Sequence, residues 1–148
     1  MKEIRWLSWP LPRPLPREVA LWVPDTGAIM GTSIHLAGTF GTRLRGLLFR
    51  PSLPPGEGLL LFPTRQVHSY LMRFPLDVAY IDRHGHVLRK EPLLPGRRGP
   101  YVRRAFFVLE MSLGALEDLE VGQRLALLAH LPAGEEKDRQ NHSPASQA

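Results

Sequence analysis

The residues best suited to chemistry lie in the middle of the chain. His68 supplies an imidazole, and Asp77 and Glu110 add two carboxylates in apolar, strand-like segments. A histidine beside a carboxylate can exchange a proton with a ligand, and two carboxylates can divide acid and base roles. Each carboxylate on a buried face needs a partner, because unpaired burial of charge is very unfavourable. The candidate pocket residues are Arg43, His68, Met72, Arg73, Asp77 and Glu110.

The sequence lacks a convincing nucleophile, phosphate loop or metal site. It has no cysteine, Ser69 stands alone, and neither a Gly-x-Ser-x-Gly elbow nor a glycine-rich phosphate motif occurs. Asp82, His84 and His86 crowd one turn, but ligands two residues apart on a solvated turn are a weak metal signal. Turn chemistry already explains Asp82. We therefore predict no metal and no cofactor.

Several roles remain open for the candidate pocket. We favour a non-catalytic module that binds a small polar ligand or a peptide near His68, Met72 and Asp77, because polar residues concentrate at one strand break there. The alternative is an enzyme with His68 as general base and Asp77 or Glu110 orienting it. In a purely structural role, each carboxylate accepts hydrogen bonds from an arginine or from backbone N–H groups.

Positive charge is concentrated in one segment. The net charge is +5, with sixteen Arg against three Lys, and six cations fall between residues 89 and 104, close to Tyr101, Phe106 and Phe107. Such a mixture suits phosphates and stacked bases, so nucleic-acid binding is a weaker alternative. Arginines on a Pro/Gly loop are commonly just solvated, and heat adaptation also enriches charged residues. This basic loop comprises Arg89, Lys90, Arg97, Arg98, Arg103 and Arg104.

Length and composition indicate one small globular domain. The chain has 148 residues, of which 43% are hydrophobic and 22% charged, which is enough for a single core. The absence of cysteine excludes disulfides, thiolate zinc sites and iron–sulfur clusters. No run of about 18 apolar residues is present to span a membrane, and the N-terminus does not resemble a secretory signal. We therefore expect a cytoplasmic protein.

The two ends of the chain differ from its middle. Residues 1–18 form an arm with a proline at every second position from Pro10 to Pro16, which forbids a helix. Its tryptophans, Trp6 and Trp9, either grip a partner or pack on their own domain, and we favour the second. Residues 131–148 are polar and predict a disordered tail. The folded domain therefore spans residues 19–130.

The folded domain alternates short apolar runs with turn signals, which is typical of a mainly β protein. A short helix is predicted after Thr39, where Phe40, Leu44 and Leu47 share one face, and a second over Leu113 to Leu119. We predict a single small β-barrel or sandwich-like domain of seven or eight short strands with two short helices. The predicted strands are 19–23, 28–36, 58–62, 67–72, 76–81, 86–88, 106–111 and 124–129.

Five motifs follow one another between residues 43 and 128. They cover residues 43–50, 58–62, 67–78, 81–87 and 108–114. In this order they resemble the family catalogued as domain of unknown function 192. The resemblance implies a small β-rich barrel or sandwich and no particular activity. Two residues depart from the family pattern: Leu71, where many members have an aromatic residue, and Gln123, where many have Asp.

Overall fold

The computed structural model describes residues 6, 7, 9, 11, 16–38, 52–70 and 72–129. Its strands form one sheet in the order β1-β8-β2-β3-β4-β7-β5-β6. Strands β3 and β4 run parallel, and the other neighbouring pairs are antiparallel. The strands are β1 (Trp6–Leu7), β2 (Glu18–Val23), β3 (Ala28–Ala37), β4 (Glu57–Leu61), β5 (Leu76–Ile81), β6 (Val87–Leu93), β7 (Phe107–Ser112) and β8 (Ala126–Ala129).

The mainly β class is confirmed, but the sheet is open and does not close into a barrel. Strands β1 and β6 lie at its two ends and do not pair with each other. The helix predicted after Thr39 lies outside the described residues, as do Arg43 and the tail 131–148. Among the described residues, no helix has the length and apolar character to cross a membrane.

The helix predicted over residues 113–119 is wrong. The segment forms consecutive turns, in which the amides of Ala115, Glu117 and Leu119 donate to carbonyls three residues back, at 3.0–3.2 Å. Gly114 has a φ of 90°, which a right-handed helix cannot accommodate. Leu116 and Leu119 are fully buried. The apolar spacing therefore reflects core packing of a turn segment, not a helix face.

The strand predicted over residues 67–72 is also wrong. Residues 65–70 instead pair irregularly with residues 96–102, and we call these two segments the ribbon. Its hydrogen bonds include Gly99 N to Val67 O at 2.8 Å and Ser69 N to Arg97 O at 2.7 Å. One isolated bridge joins His68 to Arg98. Pro100 and the two glycines of the second segment, Gly96 and Gly99, prevent a regular ladder.

Both faces of the central strands β4, β5 and β7 are covered by apolar side chains. Since side chains alternate along a strand, each of these strands contributes to two clusters, one on each face. This explains why β4 is a continuous apolar run after Glu57 and why β7 is apolar from Phe107 to Met111 except for Glu110. The first face carries Leu60, Ala79, Ile81, Phe107, Leu109 and Met111, and the second carries Leu59, Leu61, Leu76, Val78, Tyr80 and Val108.

The N-terminal arm contacts its own domain through Trp9. The indole Nε1 donates to the carbonyl of Leu125 at 3.0 Å, and the ring meets Phe107 edge-on at 4.3 Å. Just before it, β1 pairs with the outer side of β8. Trp9 lies directly over Gly85 in the β5–β6 hairpin. Of the two roles considered for the arm's tryptophans, Trp9 therefore takes the packing role.

The contact between Trp9 and Gly85 gives a first prediction. Gly85 and Gly96 both have positive φ, 91° and 73°, so alanine at either costs roughly 1–2 kcal/mol. A Cβ on Gly85 would also overlap the Trp9 indole, whereas a Cβ on Gly96 would meet nothing within 4 Å. In urea unfolding, Gly85→Ala should therefore lose clearly more stability than Gly96→Ala. Equal losses would show that Trp9 does not lie on Gly85.

Candidate functional site

The sheet places the two candidate carboxylates on opposite faces. Asp77 lies opposite Met111 on the neighbouring strand, and Glu110 lies opposite Val78. Because directly opposed residues project to the same side of a sheet, Asp77 belongs to the first face and Glu110 to the second. The two carboxylates therefore do not converge on one pocket.

Asp77 is engaged with backbone amides. Its Oδ2 accepts hydrogen bonds from Gly114 N at 2.9 Å and Leu116 N at 3.2 Å. Lys90, on the same face, donates from Nζ to the carbonyls of Leu116 and Leu119 at 3.0 and 2.5 Å. Asp77 and Lys90 thus form a clamp on the turn segment 113–119. This is the backbone-bonded structural role considered for Asp77.

Glu110 is only 7% exposed and lies in the second-face cluster between Leu59 and Val78. Burial raises the pKa of its carboxyl to about 7. On the same face, burial also raises the pKa of Tyr80 to about 12, helped by the charge of Glu91. The Tyr80 hydroxyl is buried without a hydrogen-bond partner in the described part of the chain. Desolvation is therefore the main cause of the raised pKa values of both side chains on this face.

The remaining pocket candidates are dispersed. His68 lies on the exposed side of the ribbon, where its ring stacks on Tyr70 at 4.7 Å with an angle of 22° between the planes. Met72 packs against the second-face cluster, and Arg73 is exposed. The structure thus does not bring His68, Met72 and Asp77 to one cavity among the residues it describes.

Ser69 anchors the ribbon rather than presenting a nucleophile. It is fully buried. Its hydroxyl donates to the carbonyl of Leu94 and accepts from Arg97 N at 2.9 Å. The Ser69 carbonyl also accepts from Gly96 N at 2.9 Å. These bonds tie the first segment of the ribbon to the second.

The six cations of the basic loop divide into two groups. Arg89 pairs with Glu91 at 2.8 Å, and Lys90 belongs to the clamp. The other four are exposed and make no ion pair with a described residue. Only these four are therefore available to a ligand: Arg97, Arg98, Arg103 and Arg104.

The histidine-rich turn is explained by turn chemistry. Asp82 Oδ1 accepts from the amides of His84 at 2.8 Å and His86 at 3.0 Å. His86 Nδ1 lies 3.5 Å from Asp82 Oδ2. In the described ranges, no group of three or more His, Asp or Glu side chains is placed to hold a metal ion.

A cleft of about 370 Å³ opens beside the ribbon. Arg83 lies over the Phe106 ring, with its Cζ 4.6 Å from the centroid, and Arg65 Nη1 lies 3.4 Å from the Tyr101 hydroxyl. Ligand pockets typically measure about 300–1,000 Å³, so this volume suits a small molecule. The described residues that line the cleft include no acidic side chain; they are Pro63, Thr64, Arg65, Arg83, Tyr101, Ala105 and Phe106.

Three separate loops assemble this cleft. Thr64 N donates to Phe106 O at 3.0 Å, Phe106 N donates to Ile81 O at 2.9 Å, and Val102 N donates to Arg65 O at 2.8 Å. Tyr101 and Phe106 stand out in the sequence beside the basic loop, whereas Arg65 and Arg83 were missed. Arg65 lies outside the five motifs and Arg83 lies in the turn motif 81–87, so only their position beside an aromatic residue in the folded protein indicates them.

Comparisons with known proteins place the fold among uncharacterised relatives. The model of the family DUF192, described as an uncharacterized ACR, matches residues 22–127. A protein of unknown function from Novosphingobium aromaticivorans is similar in structure, with a TM-score of 0.62 and 21% identity over 75% of this chain and 83% of that one. A "putative transcription regulator" from Sinorhizobium meliloti gives 0.60 and 24% over 84% and 96%. No curated protein matches the sequence significantly.

The clamp gives a second prediction. Asp77→Ala leaves the amides of Gly114 and Leu116 without their acceptor, which costs about 1–3 kcal/mol. We expect a loss of that size in the free energy of unfolding measured in urea. Asp118→Ala is the control, because Asp118 is exposed on the same segment. Equal stabilities of the two variants would rule out the clamp.

Glu110 gives a third prediction. The pKa of its carboxyl is about 7 in the folded protein against 4.5 for an unperturbed glutamate, so the folded state holds the proton more tightly. Stability should therefore fall as pH rises from about 4.5 to 7 and then level off, by roughly 3 kcal/mol in total. Glu110→Gln should lack this loss in urea unfolding at about pH 5 and pH 8. Exposed Glu117→Gln should retain it, and a pH response shared by all three proteins would contradict the assignment.

Proposed function

The chain belongs to the DUF192 family, described as uncharacterized, and we propose from its own geometry that it is a non-catalytic module that binds a small anionic ligand with a flat ring. The observation that carries the proposal is the cleft, in which Arg83 lies over the Phe106 ring, Arg65 donates a hydrogen bond to the Tyr101 hydroxyl, and the described lining residues include no carboxylate. The guanidinium of Arg83, stacked on a ring, keeps its N–H edge available for an anion, and Arg65 has further N–H groups beyond the one that Tyr101 accepts.

The charge around the cleft supports an anionic ligand. Residues 62–76 and 92–109 contain six arginines and no aspartate or glutamate. Arg65 and Arg83 make no ion pair with any residue that the structure describes. Arginine forks bind phosphate or carboxylate through paired hydrogen bonds, which makes both groups suitable anions.

The aromatic side chains that line the cleft support a ligand with a flat ring. Phe106 is half-buried with Arg83 over it, and Tyr101 is 60% exposed. Aromatic faces and stacked guanidinium planes both favour a planar partner. A ligand that joins an anion to a ring would use both kinds of wall at once.

The placement of the titratable residues favours binding over catalysis. General base chemistry needs a histidine within hydrogen-bond reach of its partner, at about 3 Å. Asp77 is held by the turn segment and Glu110 lies on the other face of the sheet. The proposal therefore retains the small polar ligand expected from sequence and moves its pocket from His68, Met72 and Asp77 to the cleft.

Binding of phenyl phosphate tests this proposal. Titration followed by NMR should show saturable binding, with benzyl alcohol as the neutral probe that does not bind. Arg65→Ala and Arg83→Ala should each weaken binding about tenfold or more, because each removes a hydrogen bond to a charged group. Arg17→Ala removes the same charge from an exposed position at the start of β2 and should bind as the wild type does. Undiminished binding by an Arg65→Ala/Arg83→Ala double variant would overturn the proposal.

A further inference from the structure

We propose that the ribbon extends the cleft into a track for single-stranded nucleic acid. The inference rests on the proposed function in one respect, since the cleft would receive one nucleotide of the strand. Its own support comes from the surface that leads from Arg65 and Tyr101 to the His68–Tyr70 stack, which the small-ligand proposal does not use.

Unpaired positive charge runs along this surface. Arg98 lies directly opposite His68, so the two side chains share one side of the ribbon. Arg97 is exposed next to it, and Arg103 and Arg104 are exposed where the second segment ends. With no acidic residue in either stretch, the surface matches the regular negative charge of a phosphate backbone.

Exposed aromatic rings lie among these charges. Tyr70 is 49% exposed with its ring stacked on His68, and Tyr101 is 60% exposed at the other end. Tyr70 lies five positions after Arg65, a span of about 16 Å in extended chain. A stacked pair with one open face can continue the stack with a base, as ring platforms in single-strand binding proteins do.

The ribbon is held in place from below. Ser69 and Val67 point into the protein and are buried, while His68 and Tyr70 alternate with them and point outward. Gln66 adds a bond from Nε2 to Gly99 O at 2.8 Å. Because the backbone is anchored, the outward side chains are presented without a large ordering cost on binding.

The pattern favours single strands over the other polyanions. Stacking on Tyr70 requires an unpaired base, which a duplex does not offer. Binding to an anionic membrane combines charge with inserted apolar side chains. Among the described residues beside the ribbon, the exposed aliphatic side chain is Leu94, which by itself offers little apolar area for insertion. Rings interleaved with arginines are a better match to bases and phosphates than to lipid.

Fluorescence anisotropy with a labelled oligodeoxythymidylate of about 12 nucleotides tests the track. Tyr70→Ala should weaken binding about fivefold or more without changing the salt dependence, because it removes stacking only. Arg98→Ala should weaken binding and reduce the slope of log K against log salt by about 0.7, the value for one single-strand phosphate contact. Arg17→Ala and Leu94→Ala are the matched controls and should bind like the wild type. Thermal unfolding of each variant confirms that these exposed substitutions leave the fold intact.

The outcomes separate this inference from the proposed function. If phenyl phosphate binds the cleft but the oligonucleotide binds no more tightly than thymidine monophosphate, the track is wrong and the small-ligand module stands. Tight oligonucleotide binding that Arg98→Ala weakens but Arg65→Ala/Arg83→Ala does not would overturn the cleft as part of the track. Equal or stronger binding to a duplex of the same length, or to phosphatidylserine vesicles, would overturn the choice of partner.

Discussion

Burial of strand β7 on both faces is the constraint on which the rest of the structure depends. The strand lies between β4 and β5, with one apolar cluster above it and another below. Any polar side chain on β7 or its neighbours must then be neutral or fully engaged. Glu110 has its pKa raised towards neutrality by burial, and Asp77 is bonded to backbone amides. The exposed charged side chains that the proposed binding uses therefore lie on the loops around the sheet.

In both the clamp and the ribbon, side chains form hydrogen bonds with backbone groups that the sheet does not pair. A turn segment or an irregular pair of strands leaves backbone groups that need partners when they are buried. On the first face, Asp77 and Lys90 supply an acceptor and a donor to segment 113–119. Under the ribbon, Ser69 supplies both from a single hydroxyl. Asp77, a candidate for chemistry in the sequence, therefore holds a backbone segment in place, and so does Ser69.

Most of the strands could be predicted from sequence because their signals are local. The β2–β3 hairpin follows from alternation around Pro24 to Gly27, and β5 and β7 follow from short apolar runs bounded by turns. The predictions of a helix over 113–119 and a strand over 67–72 are wrong because buried apolar side chains there belong to turns and to the irregular ribbon, not to a regular element. In both places the backbone is held by side chains distant in sequence, Asp77 and Lys90 in one and Ser69 in the other, which no local pattern reveals.

The sequence by itself determined the β-rich class, the lack of cysteine chemistry and the cluster of six cations between residues 89 and 104. Composition and local periodicity can be read directly from the sequence, so these features can be predicted without knowing which distant residues are in contact. Only the tertiary structure decided which charges remain available. Strand register separated Asp77 from Glu110, the clamp engaged Lys90, and loop packing brought Arg65 and Arg83 into one cleft. These placements depend on how distant segments pair. A change of register by one residue would move every side chain of a strand to the other face of the sheet, and a local pattern does not specify that register.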